Sequence, residues 1–65
     1  MDIAIIGAAL YGPRWQSDLA RALGVTDRTM RRWAVAGELP EAYAPAVRAL
    51  LRQRRAELGD LLRRI

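Results

Sequence analysis

The side chains best equipped for chemistry lie close together: Asp27, Arg28, Thr29, Arg31 and Arg32 occupy one short stretch that opens at Thr26. A guanidinium is a planar fork of donors suited to phosphate oxygens and to the O6/N7 edge of guanine, where a lysine ammonium acts as a point charge. All 11 basic residues of this 65-residue chain are arginine, and with 7 acids they give a net charge of +4. GC-rich coding also favours arginine over lysine, so the arrangement of these residues says more than their number. Residues 1–25 balance in charge, residues 26–40 carry +1 and residues 41–65 carry +3. The absence of His and Cys removes disulfides, thiolate chemistry and the usual zinc ligands. There is also no convincing carboxylate pair and too little chain to enclose a substrate pocket. The expectation is a binding protein and not an enzyme, with no catalytic residue, metal, cofactor or small-molecule ligand.

Presenting those arginines requires a helix of fixed phase and a support behind it. Thr26 is placed to cap such a helix, with Asp27 in its first turn where the dipole favours an acid. The helix is predicted from about Asp27 to Ala36 and closed by Gly37, with Met30 and Trp33 inward at i and i+3 and Arg28, Arg31 and Arg32 outward. Before it, a helix begins after Pro13 near Trp15, with Leu19, Ala20 and Leu23 on one face and Asp18 and Arg21 outward. Gly24 ends that helix by taking a left-handed conformation, and Val25 tucks into the core. The stretch from Gln16 to Val35 therefore reads as two short helices joined by a tight turn.

The flanking segments look like support. Residues 3–10 place Ile3, Ile6 and Leu10 at i, i+3 and i+7, a pattern a buried strand would also satisfy. Gly7, Ala9 and Gly12 imitate a dinucleotide fingerprint, but that motif needs a second parallel strand, and none follows. A helix is the better reading, with Asp2 as its cap or first-turn acid and Gly12-Pro13 as its stop. Glu38 to Ala44 reads as a loop, and Pro45 suits the first turn of a last helix. That helix carries Val47, Leu50, Leu51 and Leu58 along one side and Arg48, Arg52 and Arg55, with Arg54, as a solvated face. Gly59 is predicted to interrupt it. Leu61, Leu62 and Ile65 continue the apolar stripe to the last residue, and Arg63 and Arg64 suit a final helical turn through its dipole.

A helix, a tight turn and a second helix read DNA when the second offers forked polar side chains near its N-terminus and its apolar side is pinned by the first. Leu19, Ala20, Leu23, Gly24, Val25, Met30 and Trp33 supply the small and apolar residues such a crossing needs. The segment resembles the helix-turn-helix of phage repressor and Cro-type regulators. Within a chain this small, RWQSDLARALGVTDRTMRRW is similar to the anti-CRISPR-associated repressors, which sit beside anti-CRISPR genes and shut down their own operon. The likeness covers residues 14–37; beyond them it is one of size and helical pattern.

The resemblance implies an all-α, lambda-repressor-like bundle of four to five helices, a single domain over residues 1–65, binding double-stranded DNA in the major groove. Arg28, Arg31 and Arg32 become the candidates for reading guanine, each good bidentate pair giving ~1–3 kcal/mol of discrimination. Asp27 joins them, either accepting from cytosine N4 or, preferably, holding Arg31 in its productive rotamer. Gln16, at the start of the motif's first helix, is expected to touch phosphate, with Arg14 beside it. Thr26 and Thr29 divide between capping and phosphate contact. Trp33 is read as core, and Trp15 and Tyr11 as packing residues at helix ends. A domain this small buries only about 60% of its unfolded surface, and repressors of this class gain affinity by pairing on inverted repeats. A homodimer through Leu51, Leu58, Leu61, Leu62 and Ile65 is therefore expected. The function implied is repression of the chain's own anti-CRISPR or phage operon, in the cytoplasm of a bacterial or phage-infected cell, without membrane association. The alternative is a helical protein-interaction adaptor or antitoxin component in which the motif is mainly scaffold.

Overall fold

The computed structural model describes residues 1–65 as an all-α bundle of four helices: α1 (Ile3–Tyr11), α2 (Trp15–Leu23), α3 (Asp27–Ala36) and α4 (Ala44–Arg64), with a 3-10 turn at Glu41–Tyr43 before α4. Punctuation in the sequence sets these bounds. The Asp2 carboxylate accepts from the Ile5 N–H at 3.2 Å and opens α1, and Gly12, at φ +81°, closes it by donating to Ala8. Gly37 closes α3 at φ +74°, with Gly37 and Glu38 N–H groups returning to Ala34 and Trp33 carbonyls. Pro45 sits in the first turn of α4, where its missing N–H costs no hydrogen bond.

The core is wholly apolar. Ile3 and Leu10 from α1, Trp15, Leu19 and Ala20 from α2, Met30 from α3 and Val47 from α4 are buried together, with no buried polar side chain among them. Leu39 joins them at 1% exposure, although it lies in the segment read as a loop. The N-terminus fixes that segment: Leu39 donates its N–H to the Met1 carbonyl at 2.9 Å, and Asp2 pairs with Glu38 as a single antiparallel bridge. The Met1 ammonium bonds Glu38 Oε2 at 2.9 Å and lies 3.6 Å from Glu41 Oε1. Donating to the Glu38 carboxylate raises the ammonium's pKa above the ordinary 8.0.

Gly7 is a packing residue and part of no nucleotide fingerprint. A Cβ there would lie 2.3 Å from Trp15 Cδ2, so the indole of α2 rests directly on the backbone of α1. Two aromatic contacts then tie the 3-10 turn to α3 and α4 to α1. Tyr43 meets the half-buried Trp33 edge to face, with centroids 5.1 Å apart, and the Arg54 guanidinium lies 5.9 Å from the Tyr11 ring centroid. Arg54 therefore leaves the solvated face assigned to it. Gly59 does not interrupt α4, which runs unbroken through it to Arg64. The helix outreaches the body, giving extents of 39 × 22 × 18 Å. No helix is long and apolar enough to cross a membrane.

Candidate nucleic-acid interface

The joint between α2 and α3 is built by two local devices. Gly24 takes the left-handed conformation at φ +72°, and its N–H donates to the Arg21 carbonyl at 3.3 Å while Val25 N–H donates to Ala20 at 3.0 Å. This pair of bonds closes α2 in the manner of a Schellman motif, and three residues, Gly24 to Thr26, join it to α3. Thr26 then opens α3: its Oγ1 accepts from the Thr29 N–H at 3.1 Å and donates to Thr29 Oγ1 at 3.1 Å. Both threonine hydroxyls are thus engaged with each other and with the helix end.

The phase of α3 follows from what it buries. At about 100° per residue, Met30, Trp33 and Ala34 share one side, and Met30 is fully buried against the core while the other two are half-buried. Arg28, Arg31 and Arg32 lie on the opposite side and are exposed. Val35 lies among them at 91% exposure, an apolar group in the middle of a basic surface. Sequence reasoning passed over Val35, although its position between the phases of Arg31 and Arg32 gave the signal.

Three of the 11 arginines pair with a carboxylate, and those of α3 are among the eight that do not, with Arg14, Arg48, Arg52, Arg55 and Arg64. Arg21 pairs with Asp18 at 3.2 Å, Arg54 with Glu57 at 3.8 Å, and Arg63 with Asp60. Arg28, Arg31 and Arg32 have no carboxylate within 4.0 Å, and neither has Arg14. Their donors remain available to a ligand. Asp27 stands exposed in the first turn of α3 and does not hold Arg31: no ion pair or hydrogen bond joins them.

Arg14 and Gln16 sit at the opposite end of α2 from the turn, both exposed. Arg14 occupies the N-cap position without making a side-chain cap bond, unlike Asp2 and Thr26 at their helices. The first-turn amides of α2 are therefore left with no capping side chain, and an arginine and a glutamine stand beside them. Such an end can take an anion, since the free N–H groups and the dipole both favour negative charge.

The remaining candidates lie elsewhere. Leu51, Leu58, Leu61, Leu62 and Ile65 are all on α4, which attaches chiefly to α1 and the 3-10 turn. Thr26 to Arg32 thus span the cap and first two turns of α3, Arg14 and Gln16 stand at the start of α2, and the apolar stripe lies on α4. Compared with known proteins, the chain matches no family model, no curated protein and no solved structure.

Proposed function

We propose that this chain is a sequence-specific DNA-binding repressor that acts as a dimer on an inverted repeat, with α3 entering the major groove. The observation that carries the proposal is the exposed arc of Arg28, Arg31 and Arg32, free of carboxylates, directly across α3 from the buried Met30. A helix pinned on one side and forked with donors on the other suits the acceptor pattern of guanine in a groove wide enough to admit it. Asp27, at the N-terminal end of the same helix, is placed to accept from cytosine N4. Val35 adds an apolar surface suited to a thymine methyl group. Arg14 and Gln16, with the uncapped amides of α2, take one phosphate, and Thr29, whose hydroxyl proton is left free by the bond it accepts from Thr26, donates to another.

Repression then needs only occupancy. One copy covers little DNA, and two copies joined through α4 would set paired recognition helices ~34 Å apart on a symmetric site. Together with the resemblance to anti-CRISPR-associated repressors, this points to a protein that blocks the promoter of its own anti-CRISPR or phage operon.

A gel-shift titration with the DNA upstream of its coding region tests the reading. Arg31→Ala is expected to weaken specific binding by roughly 5- to 150-fold, the equivalent of ~1–3 kcal/mol, and to relax base preference at one position. Unchanged affinity and preference would show that α3 does not read. The exposed apolar stripe on α4 favours the adaptor or antitoxin reading as the rival, and an adaptor gives no sequence-specific shift at physiological salt.

A further inference from the structure

One side of α4 changes its surroundings halfway along. At about 100° per residue, Val47, Leu50 and Arg54 share that side with Leu58, Leu61 and Ile65, and Leu51 and Leu62 lie at its edge. Over the first half the body covers it: Val47 is buried, Leu50 is half-buried and Arg54 lies over Tyr11. Beyond Arg54 nothing does. Leu58 is 57% exposed, Leu61 53%, Leu62 75% and Ile65 fully so, while Leu51, at the body's edge, is 39% exposed. A shallow groove of about 280 Å³, lined by Glu57, Asp60, Leu61 and Arg64, runs beside these residues.

With the end of α4 projecting, the whole chain is more exposed than a compact monomer of its mass. A compact monomer of 7.3 kDa should expose about 4,200 Å². This chain exposes 4883 Å², an excess of roughly 700 Å², and a standard interface takes about 800 Å² from each partner.

We propose that a second copy of this chain covers the free end of α4, running antiparallel, with the pair centred on Leu58. The proposal rests on the dimer in the reading above and gives it a direction and a register. A parallel copy lying side by side would have to pass its first half through the space that α1 and the 3-10 turn occupy on that face. An antiparallel copy meets it only at the tip: its last turn, Leu62 to Ile65, lies beside residues 51–54, where Leu51 is still 39% exposed at the body's edge, and the rest of its covered half extends past the end of the first copy's helix. The spacing agrees: Leu51 and Ile65 each lie seven residues from Leu58. Antiparallel pairing thus sets Leu58 against Leu58 and Leu51 against Ile65 at both ends. It also leaves the two Val47 anchors, where each body is attached, ~33 Å apart along the pair. That is of the same order as the ~34 Å of one DNA turn.

Because the chain contains no cysteine, single cysteines report this arrangement cleanly. Full-length Leu51→Cys, Leu58→Cys and Ile65→Cys, each confirmed helical by circular dichroism, are oxidised at micromolar concentration without DNA and separated without reductant. A disulfide needs Cα atoms about 4.4–6.8 Å apart. Leu58→Cys alone is expected to form a covalent dimer, and a mixture of Leu51→Cys and Ile65→Cys to form the mixed dimer. Ile65→Cys alone should stay monomeric, since its two cysteines would stand ~21 Å apart. Self-linking of Ile65→Cys with no mixed dimer would overturn the proposal in favour of a parallel pair. No link in any sample would overturn it in favour of a different partner for the stripe. With no DNA present, either failure leaves the reading by α3 to its own binding assay.

Discussion

Replacing Gly7 by alanine sets two physical effects of opposite sign against each other. Helix propensity alone favours the change, because alanine in a helix interior is more stable than glycine by ~0.8–1.0 kcal/mol. Packing opposes it. The added Cβ would fall 2.3 Å from Trp15 Cδ2, 2.4 Å from Cε3 and 2.6 Å from Cγ, whereas carbon atoms rest about 3.5–4.0 Å apart. The indole or α1 must therefore yield by more than ~1 Å, and Trp15, at 8% exposure, has little room to turn. Forced overpacking of this kind costs typically ~1–3 kcal/mol and occasionally more. With the contact at the severe end of that range, a cost of ~3 kcal/mol less the ~1 kcal/mol propensity gain leaves a net loss of ~2 kcal/mol, lowering the melting midpoint by roughly 15 °C in a domain of this size. Thermal melts followed by circular dichroism measure it. In a Trp15→Leu background, where the space is opened, the same alanine should become neutral or stabilising, a coupling of ~1 kcal/mol or more. A Gly7→Ala protein that melts at or above the parent temperature would refute the account of the α1–α2 contact.

Gly59→Ala should have the opposite sign, since that glycine lies inside α4 and a Cβ would meet only Arg63 Nη1, at an ordinary 3.7 Å. A gain of up to ~1 kcal/mol is expected in the same melts, and a loss would mean that α4 bends there. Thr26→Ala removes the cap of α3 and should cost ~1 kcal/mol; an unchanged midpoint would mean that the joint is held by the Gly24 closure alone. The Met1 ammonium, whose pKa the Glu38 bond raises above 8.0, contributes stability that is full below that value and is lost as pH rises through the higher folded-state value. The midpoint should therefore fall on the alkaline side of 8.0 in the parent and fall less in Glu38→Gln; identical pH profiles would remove this linkage.

Helix existence and bounds were legible because this sequence marks them locally. Gly24 and Gly37 force left-handed closures, Thr26 and Asp2 cap, and the phase of Met30 and Trp33 puts the arginines of α3 outward. What stayed hidden depends on residues distant in sequence. Leu39 sits between Gly37 and Pro40 with no periodicity to betray its burial, which follows from the clamp by Met1. Gly7 showed a spacing that imitated a ligand motif, and only the approach of Trp15 explains it. Arg54 looked like one member of an exposed basic face, yet Tyr11, far away in the chain, draws it inward. Gly59 carries a local penalty of ~1 kcal/mol, too small to end a helix with good helix formers on both sides. The expected hold of Asp27 on Arg31 rested on spacing, which permits that contact without requiring it.

Whether α3 reads base sequence is decided by selection from a random pool of duplex DNA with the full chain at physiological salt. An inverted repeat whose half-sites lie about 10–10.5 base pairs apart, centre to centre, should be enriched. Arg31→Ala should lose preference at one symmetric position of that repeat while keeping the remainder. Recovery of a pool with no sequence in common would contradict a reading role for α3.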